Sequence, residues 1–118
     1  MPDLDDLCAR LFRAFEHHDL DGVEAMLADG AVITQNGNSM PWTDARPLIA
    51  ALTEVVRNHR YEDVRRVVGP GAVVEEHTVV GESPTGRPLR LAACVVVRVD
   101  ADGLIASMDE YVDVPDLS

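Results

Sequence analysis

The chain has 118 residues, of which 47% are hydrophobic and 26% charged, a composition typical of one folded domain with a single modest core. Ten basic residues against 21 acidic ones give a formal net charge of −11, which argues against nucleic acid and anionic membranes as partners. The longest apolar run, residues 91–97, is too short to span a bilayer. The length predicts one domain over residues 1–118. The N-terminus is acidic where a secretion signal would be basic, so we expect a cytoplasmic location.

The first half of the sequence has helical periodicity. Residues 4–16 carry an apolar residue every three or four positions, which predicts an amphipathic helix with Asp3 as its N-cap. A second helix is predicted over residues 21–28, and a short strand over residues 31–34. After the turn-rich segment QNGNSMPW, a third helix is predicted from Asp44 to about residue 58, with Pro47 in its first turn.

In the second half of the sequence, apolar and polar residues alternate with a period of two. Its strands are predicted, in chain order, over residues 61–68, 72–82, 88–99 and 104–114. The breaks GPG, SPTG and DADG contain the residues that turns require. The fold class is therefore α+β, with three N-terminal helices packed on one face of a mostly antiparallel sheet.

The last strand contains a carboxylate on its apolar face. The even positions from Leu104 to Val114 are all apolar except Glu110, so the alternation predicts that Glu110 faces the protein interior. A two- or four-residue loop at DADG would place Ala93 opposite Glu110, where the small side chain leaves space. A buried carboxylate must be paired, hydrogen-bonded or protonated. Glu110 is therefore a candidate acid or base, unless Arg90, Arg98 or a backbone group satisfies it.

The preceding hairpin leaves two registers open. A four-residue PTGR loop would bring Glu76 and Thr78 onto the face of Glu110. A loop one residue longer or shorter would bring Glu75 and His77 there instead. In that second register His77 is the natural general base, whereas in the first it faces outward or into an interface.

Other residues and motifs restrict the kinds of functional site that the chain can carry. Cys8 and Cys94 have no CxxC spacing and are expected to be buried thiols. The sequence contains no His-x-His, HExxH or GxSxG motif and no glycine-rich phosphate loop, so we expect no metal and no cofactor. Trp42 follows Pro41 in a loop and is a candidate for packing or for lining a pocket.

The predicted order of elements resembles the NTF2-like superfamily. Three segments carry the resemblance: FEHHDLDGVEAMLADGAVI (15–33), PTGRPLRL (84–91) and DGLI…EYVD (102–113). The chain is similar, more narrowly, to the group of SnoaL-like polyketide cyclases, ketosteroid isomerases and limonene epoxide hydrolases. This resemblance implies a cystatin-like cone in which a curved sheet encloses a pocket closed by the first helix. It also implies a homodimer formed through the outer face of the sheet.

The resemblance implies a set of site residues. Leu11, Gln35 and Val95 stand where ketosteroid isomerases carry their catalytic side chains, so the chain is not expected to be a steroid isomerase. The positions of limonene epoxide hydrolases correspond to Glu110, Asn36, Thr34, Glu76 and Thr78, which favours Glu76 over Glu75 as the partner of Glu110. The expected catalytic residues are thus Glu110 and Glu76. The expected substrate contacts are Leu11, Thr34, Gln35, Asn36, Trp42, Thr78, Ala93, Val95 and Met108.

The expected function is a cofactor-independent acid–base enzyme acting on a small hydrophobic molecule. Cyclisation, isomerisation, dehydration and epoxide hydrolysis are all compatible with such a site. The alternative is a non-catalytic ligand-binding or dimerisation module, since NTF2-like folds host both. An enclosed cavity of about 300 Å³ or more beside Glu110 would favour an enzyme or a binder.

Overall fold

The computed structural model describes residues 3–113, which form helices packed against one open six-stranded sheet. The elements, in chain order, are α1 (Leu4–Glu16), α2 (Leu20–Ala25), β1 (Leu27–Gln35), β2 (Asn38–Pro41), α3 (Trp42–Val55), β3 (Arg57–Gly69), β4 (Ala72–Glu82), β5 (Pro88–Val99) and β6 (Ile105–Val112). The strand order is β2-β1-β6-β5-β4-β3, with β1 and β6 parallel and the other neighbours antiparallel. The predicted α+β class is confirmed. Residue 114, predicted to end the last strand, lies outside the described residues.

Helix α1 covers the sheet through its apolar stripe. Its side chains Leu7, Cys8 and Leu11 are buried in the core, which the inner faces of β4, β5 and β6 complete. The predicted N-cap is confirmed, because the Asp3 carboxylate accepts a hydrogen bond from the Asp6 N–H at 3.1 Å. No helix among residues 3–113 has the length and apolar character needed to cross a membrane.

The segment between α2 and α3 differs from the sequence prediction. Strand β1 begins at Leu27, inside the predicted second helix, and a second strand, β2, follows it. The turn between them has positive φ angles at Asn36 (48°) and Gly37 (87°), and it closes with Gln35 opposite Asn38. Asn-Gly favours this two-residue hairpin because both residues tolerate positive φ. The dipeptide was therefore a signal for β2 that the sequence prediction did not use.

Helix α3 begins two residues earlier than predicted. It starts at Trp42, with Pro41 at the N-cap and no side-chain cap, so the prediction that Asp44 caps this helix is wrong. Trp42 and Ala45 are both buried, and their packing favours a helix that already includes Trp42. Pro47 consequently lies inside the helix and not in its first turn.

The two hairpins that follow β4 and β5 have three-residue loops. In the first, the Ser83 N–H donates to the Arg87 carbonyl at 2.8 Å, and Gly86 has a φ of 84°. The second is built alike, with the Asp100 N–H donating to the Leu104 carbonyl at 2.8 Å and with Gly103 at 79°. Each loop is a turn followed by a glycine in the left-handed region, a common hairpin type. The predicted loop of two or four residues at DADG is therefore wrong, and of the alternatives left open at PTGR the structure has the loop that is one residue shorter.

Candidate functional site

The helices cover the concave face of the sheet, where cross-strand pairing aligns the side chains in four rows. The rows are Val73, Val97, Met108 and Ile33; Glu75, Val95, Glu110 and Gln35; His77, Ala93 and Val112; and Tyr61, Val79 and Leu91. We call them the first to fourth rows. Neighbouring strands lie about 4.8 Å apart, so the backbones of Glu75 and Glu110 in the second row are separated by about 10 Å.

The register of β4 brings Glu75 and His77 onto the concave face. Glu75 lies opposite Val95, and His77 opposite Ala93. The preference for Glu76 and Thr78 is wrong, as is the outward or interface position for His77. The physical cause is the three-residue loop at residues 84–86, which is one residue shorter than PTGR and therefore reverses the face of each side chain on β4 relative to β5.

Glu76 and Thr78 instead lie on the opposite, convex face. Glu76 is exposed, and one of its oxygens lies 3.8 Å from Arg65 Nε. The Thr78 hydroxyl donates a long hydrogen bond of 3.4 Å to Asp63. An acid–base pair of Glu110 with Glu76 is therefore excluded by the position of Glu76.

Glu110 lies on the concave face, as the alternation predicts. Its partner across β5 is Val95 and not Ala93, because the hairpin at residues 100–104 and a bulge after Arg98 shift the pairing by two residues. The Gln35 side-chain amide donates to Glu110 Oε1 at 2.8 Å. Arg90 pairs with Glu62 and Arg98 with Asp109, so neither arginine neutralises Glu110.

A fully buried carboxylate lies at the other end of the second row. Glu75 Oε1 accepts a hydrogen bond from Arg66 Nε at 2.7 Å, and Glu75 Oε2 lies 2.6 Å from His77 Nδ1. Arg66 also lies within 3.4 Å of Asp5 on α1. The arginine supplies the positive charge that an ionised buried carboxylate needs.

This carboxylate sets the tautomer of His77. An ionised Glu75 can only accept hydrogen bonds, so in the neutral imidazole the Nδ1 atom carries the proton. The Nε2 atom then has a free lone pair, and it is buried without a hydrogen-bond partner among residues 3–113. Because Nδ1 faces Glu75, Nε2 lies on the ring edge that faces away from it. A carboxylate-oriented imidazole with a free Nε2 has the arrangement of a general base.

Two aromatic rings enclose the imidazole. The ring centroids of Tyr61 and Phe12 lie 4.4 and 4.9 Å from that of His77. Burial, followed by the charges of Glu110, Glu16 and Glu75, raises the pKa of Tyr61 far above its usual value. The Tyr61 hydroxyl therefore stays protonated as a neutral hydrogen-bond donor.

Cys8 also contacts Glu75 but is not a nucleophile. Its Sγ atom lies 3.7 Å from Glu75 Oε1. Burial and the nearby Glu75 carboxylate raise the pKa of the Cys8 thiol to about 12, so the thiol does not ionise near neutral pH. Cys8 is buried as expected, whereas Cys94 is only partly buried.

The concave face is filled at one end and open at the other. In the first row Val73, Val97 and Met108 are buried under α1, whereas Tyr61, Val79 and Leu91 of the fourth row are partly exposed. We call the partly exposed residues Tyr61, Val79, Leu91, Glu110 and Val112 the open half. The expected enclosed cavity stays a prediction, because partial exposure alone does not define the shape of this half.

Two surface depressions lie away from this site. One, of about 250 Å³, lies between α1 and α2 and is lined by residues that include Arg13 and His17. The other, of about 330 Å³, lies beside β1 and is lined in part by Gly30 and Trp42. Neither is lined by Glu75, His77 or Glu110.

Two predicted substrate contacts, Thr34 and Asn36, instead make hydrogen bonds that stabilise the fold. Thr34 pairs with Asp109 on the convex face, and its hydroxyl lies 2.8 Å from that of Ser39. The Asn36 amide donates to the Val112 carbonyl at 2.9 Å and accepts from the Val112 N–H at 3.0 Å, which joins the β1–β2 turn to β6.

The remaining predicted contacts divide between the core and the site. Trp42 is buried, and its indole N–H donates to Glu24 Oε1 at 2.8 Å. Leu11 on α1 and the strand residues Val95 and Met108 beneath it belong to the core. Gln35 and Ala93 lie on the concave face, beside Glu110 and His77 respectively.

Other reactive groups are few. No group of three or more His, Cys, Asp or Glu side chains within residues 3–113 is arranged to hold a metal ion. The ten basic residues are all arginines, so the chain has no lysine for a Schiff base.

The sequence matches a known family over most of its length. The model of the SnoaL-like domain matches residues 8–108, which include Glu75, His77 and the pairing of β4 with β5. The chain belongs to the SnoaL-like domain family. No curated protein matches it closely enough to be reported as a relative.

Solved structures place this SnoaL-like domain in the same fold. IdmH, a proposed polyketide cyclase from Streptomyces antibioticus, superposes with a TM-score of 0.83 at 21% identity, over 95% of this chain and 93% of that one. An NTF2-like protein of unknown function from Burkholderia pseudomallei gives 0.83 at 19% identity, over 96% and 92%. A proposed polyketide cyclase from Xanthomonas campestris gives 0.83 at 17% identity, over 92% and 89%. At these identities the similarity establishes the NTF2-like fold and not a reaction.

Proposed function

We propose that this SnoaL-like domain is a cofactor-independent acid–base enzyme in which His77 is the base. The observation that carries the proposal is the buried, unpartnered Nε2 of His77, opposite an Nδ1 that lies 2.6 Å from Glu75. A buried polar atom without a partner is costly in a folded protein, and a substrate hydrogen would satisfy it. The substrate class is a small hydrophobic molecule that binds on the open half of the concave face.

The reaction would begin with a proton transfer to His77. Nε2 takes a proton from an O–H or an activated C–H of the substrate, and the resulting imidazolium is stabilised by the ionised Glu75. Glu75 accepts a hydrogen bond from Arg66 through its other oxygen and orients the imidazole ring. Return of the proton to another substrate atom completes an isomerisation or a cyclisation.

The surroundings support an apolar substrate. Val112 in the row of His77, and Val79 and Leu91 in the next row, present partly exposed aliphatic side chains. The Tyr61 hydroxyl is a neutral donor that suits a developing negative charge on substrate oxygen. The names of two structural neighbours, as proposed polyketide cyclases, agree with chemistry of this class.

The proposal can be tested with 5-nitrobenzisoxazole, a neutral aromatic molecule that opens to a coloured nitrophenolate when a base removes its acidic C–H proton. We expect the wild-type protein to accelerate this ring opening, and His77→Asn to lower the rate by about 100-fold or more, the usual contribution of a general base. Glu76→Gln is the matched control, because Glu76 is one residue away on the convex face. Its rate should equal that of the wild type.

One result would contradict the assignment of His77 as the base. If His77→Asn keeps the wild-type rate while circular dichroism shows a folded protein, His77 is not the base. The domain would then be better described as a non-catalytic ligand-binding module, in which the Asp5–Arg66–Glu75 contacts fasten α1 to the sheet.

A further inference from the structure

The open half contains a carboxylate that no cation neutralises. Glu110 accepts a hydrogen bond from the neutral amide of Gln35, and it forms no ion pair with any residue of the range 3–113. Glu75, by contrast, has the guanidinium of Arg66. An ionised carboxylate among apolar side chains is stabilised by an opposite charge, so Glu110 favours a positively charged ligand.

A second acceptor lies on the same face of the sheet, in the third row. In the tautomer set by Glu75, His77 Nε2 has a lone pair, is buried, and lacks a partner among the described residues. The residue itself is only 4% exposed. Two acceptors and one protonated phenol line the site, so a ligand has to bring most of the hydrogen-bond donors itself.

The aromatic side chains add to the preference for positive charge. Tyr61 contacts Phe12 edge to face at 5.2 Å between ring centroids, and it is one of the partly exposed residues of the open half. The three charged groups that act on its phenol, Glu110, Glu16 and Glu75, are all carboxylates. A cation over an aromatic face is attracted by the ring, and the attraction grows as the cation is desolvated.

We propose that the ligand of the open half carries a protonated amine on a small apolar body. The ammonium would lie between the Glu110 carboxylate and the Tyr61 ring, and the apolar body would contact Val79, Leu91 and Val112. This inference rests on the proposed function for the location of the ligand and adds its charge. Repulsion from Glu110 disfavours carboxylate and phosphate ligands at this site.

The test compares three probes of similar size and different charge. Benzylamine is a cation at neutral pH, benzyl alcohol is its neutral counterpart, and benzoate is an anion. We expect benzylamine to bind the wild-type protein about tenfold more tightly than benzyl alcohol, the ratio that one cation–π contact with a nearby carboxylate supports. Benzoate should bind most weakly. Dissociation constants can be measured by chemical-shift titration.

Two variants separate the local charge from the net charge. Glu110→Gln keeps the shape and hydrogen-bonding capacity of the side chain and should abolish the preference for benzylamine over benzyl alcohol. Asp109→Asn removes one charge from the adjacent residue, whose side chain lies on the convex face beside Arg98, and should leave the preference unchanged. Tyr61→Leu should reduce the preference without reversing it.

The proposal is overturned if the wild type binds benzylamine and benzyl alcohol equally, if it binds none of the three probes, or if the preference survives Glu110→Gln. It is also overturned if Asp109→Asn has the same effect as Glu110→Gln, because the preference then reflects net charge alone. The proposed function is tested separately, by the rate of His77→Asn with a neutral probe. Failure of one proposal can therefore be distinguished from failure of the other.

Discussion

At the scale of single residues, the most consequential contact is the one between Glu75 and Arg66. Glu75 is fully buried, yet its oxygens meet Arg66, His77 and the Cys8 thiol. The charge of Glu75 is therefore balanced inside the core, and the site depends on that balance. Removing one member of a buried ion pair leaves the other charge uncompensated.

Glu75→Gln should destabilise the fold strongly. We expect a loss of about 3–5 kcal/mol in the free energy of unfolding, because Arg66 then lacks its buried counter-charge. Urea denaturation, followed by circular dichroism, measures this loss. Glu76→Gln breaks only a surface contact with Arg65 and should change stability by about 1 kcal/mol or less. Equal losses for the two variants would contradict a structural charge balance at Glu75.

The sequence predicted part of the site at this scale. Alternation along the last strand placed Glu110 on the concave face, because Met108 and its even-numbered neighbours are apolar. It could not place Glu75 or His77, since their face depends on a loop length and not on their own strand. The sequence SPTG nevertheless contained the signal: proline after Ser83, and a glycine able to take positive φ at residue 86, indicate a three-residue hairpin loop.

At the scale of elements, long periodic segments were predicted well and junctions were not. The predicted bounds of α1, β4 and β5 agree with the structure, because α1 and β5 each have an unbroken apolar period and turn residues bound β4 at both ends. The start of α3 and the start of β3 were missed. Both depend on packing at a junction, which local sequence does not specify.

The junction between α3 and β3 requires a glycine on the neighbouring strand. A Cβ atom at Gly81 of β4 would lie 2.7 Å from Val56 Cγ1 and 3.1 Å from the Arg57 carbonyl oxygen. Gly81 therefore lets the end of α3 approach the sheet closely.

Gly81→Ala should separate α3 from the sheet and destabilise the protein. We expect a loss of about 1–3 kcal/mol in the free energy of unfolding, as for other overpacked sites. Gly69→Ala provides a control, because its new Cβ would meet its nearest neighbour at an ordinary 3.9 Å. Thermal denaturation compares the two variants. If Gly69→Ala costs as much as Gly81→Ala, the close approach at Val56 is not the cause.

At the scale of the whole molecule, the convex face of the sheet is apolar across several strands. Val67, Val74 and Val96 lie opposite one another on β3, β4 and β5, and Tyr111 lies next to Cys94 on the same face. Val67 is 69% exposed and Tyr111 is 59% exposed, which is unusual for large apolar side chains. An apolar patch on a soluble domain commonly marks an interface with another protein.

We propose that two copies of the domain associate through this convex face. Light scattering after gel filtration should then give twice the chain mass of 12.8 kDa. Val96→Arg should produce the monomer mass, because a charge at the centre of a symmetric apolar interface meets its own copy. Leu48→Arg, on the exposed side of α3, should leave the dimer intact. A dimer that survives Val96→Arg and dissociates with Leu48→Arg would place the interface on α3 instead.

The resemblance of the sequence to one superfamily predicted the fold as a whole, and the family model and the solved structures confirm it. The reaction was not predicted, because NTF2-like folds carry many functions on one architecture. The residues of the proposed site are His77, Glu75 and Glu110, and only the last was among the catalytic residues expected from the sequence.

The three-residue loop between β4 and β5 has an evolutionary consequence. Deleting or inserting one residue there would reverse the face on which each side chain of β4 lies relative to β5. Glu75 and His77 would then lie on the convex face, and Glu76 and Thr78 on the concave face. A change of two residues would preserve the orientation. Natural variants of this domain should therefore tolerate substitutions at residues 84 and 85 far better than single-residue changes in length.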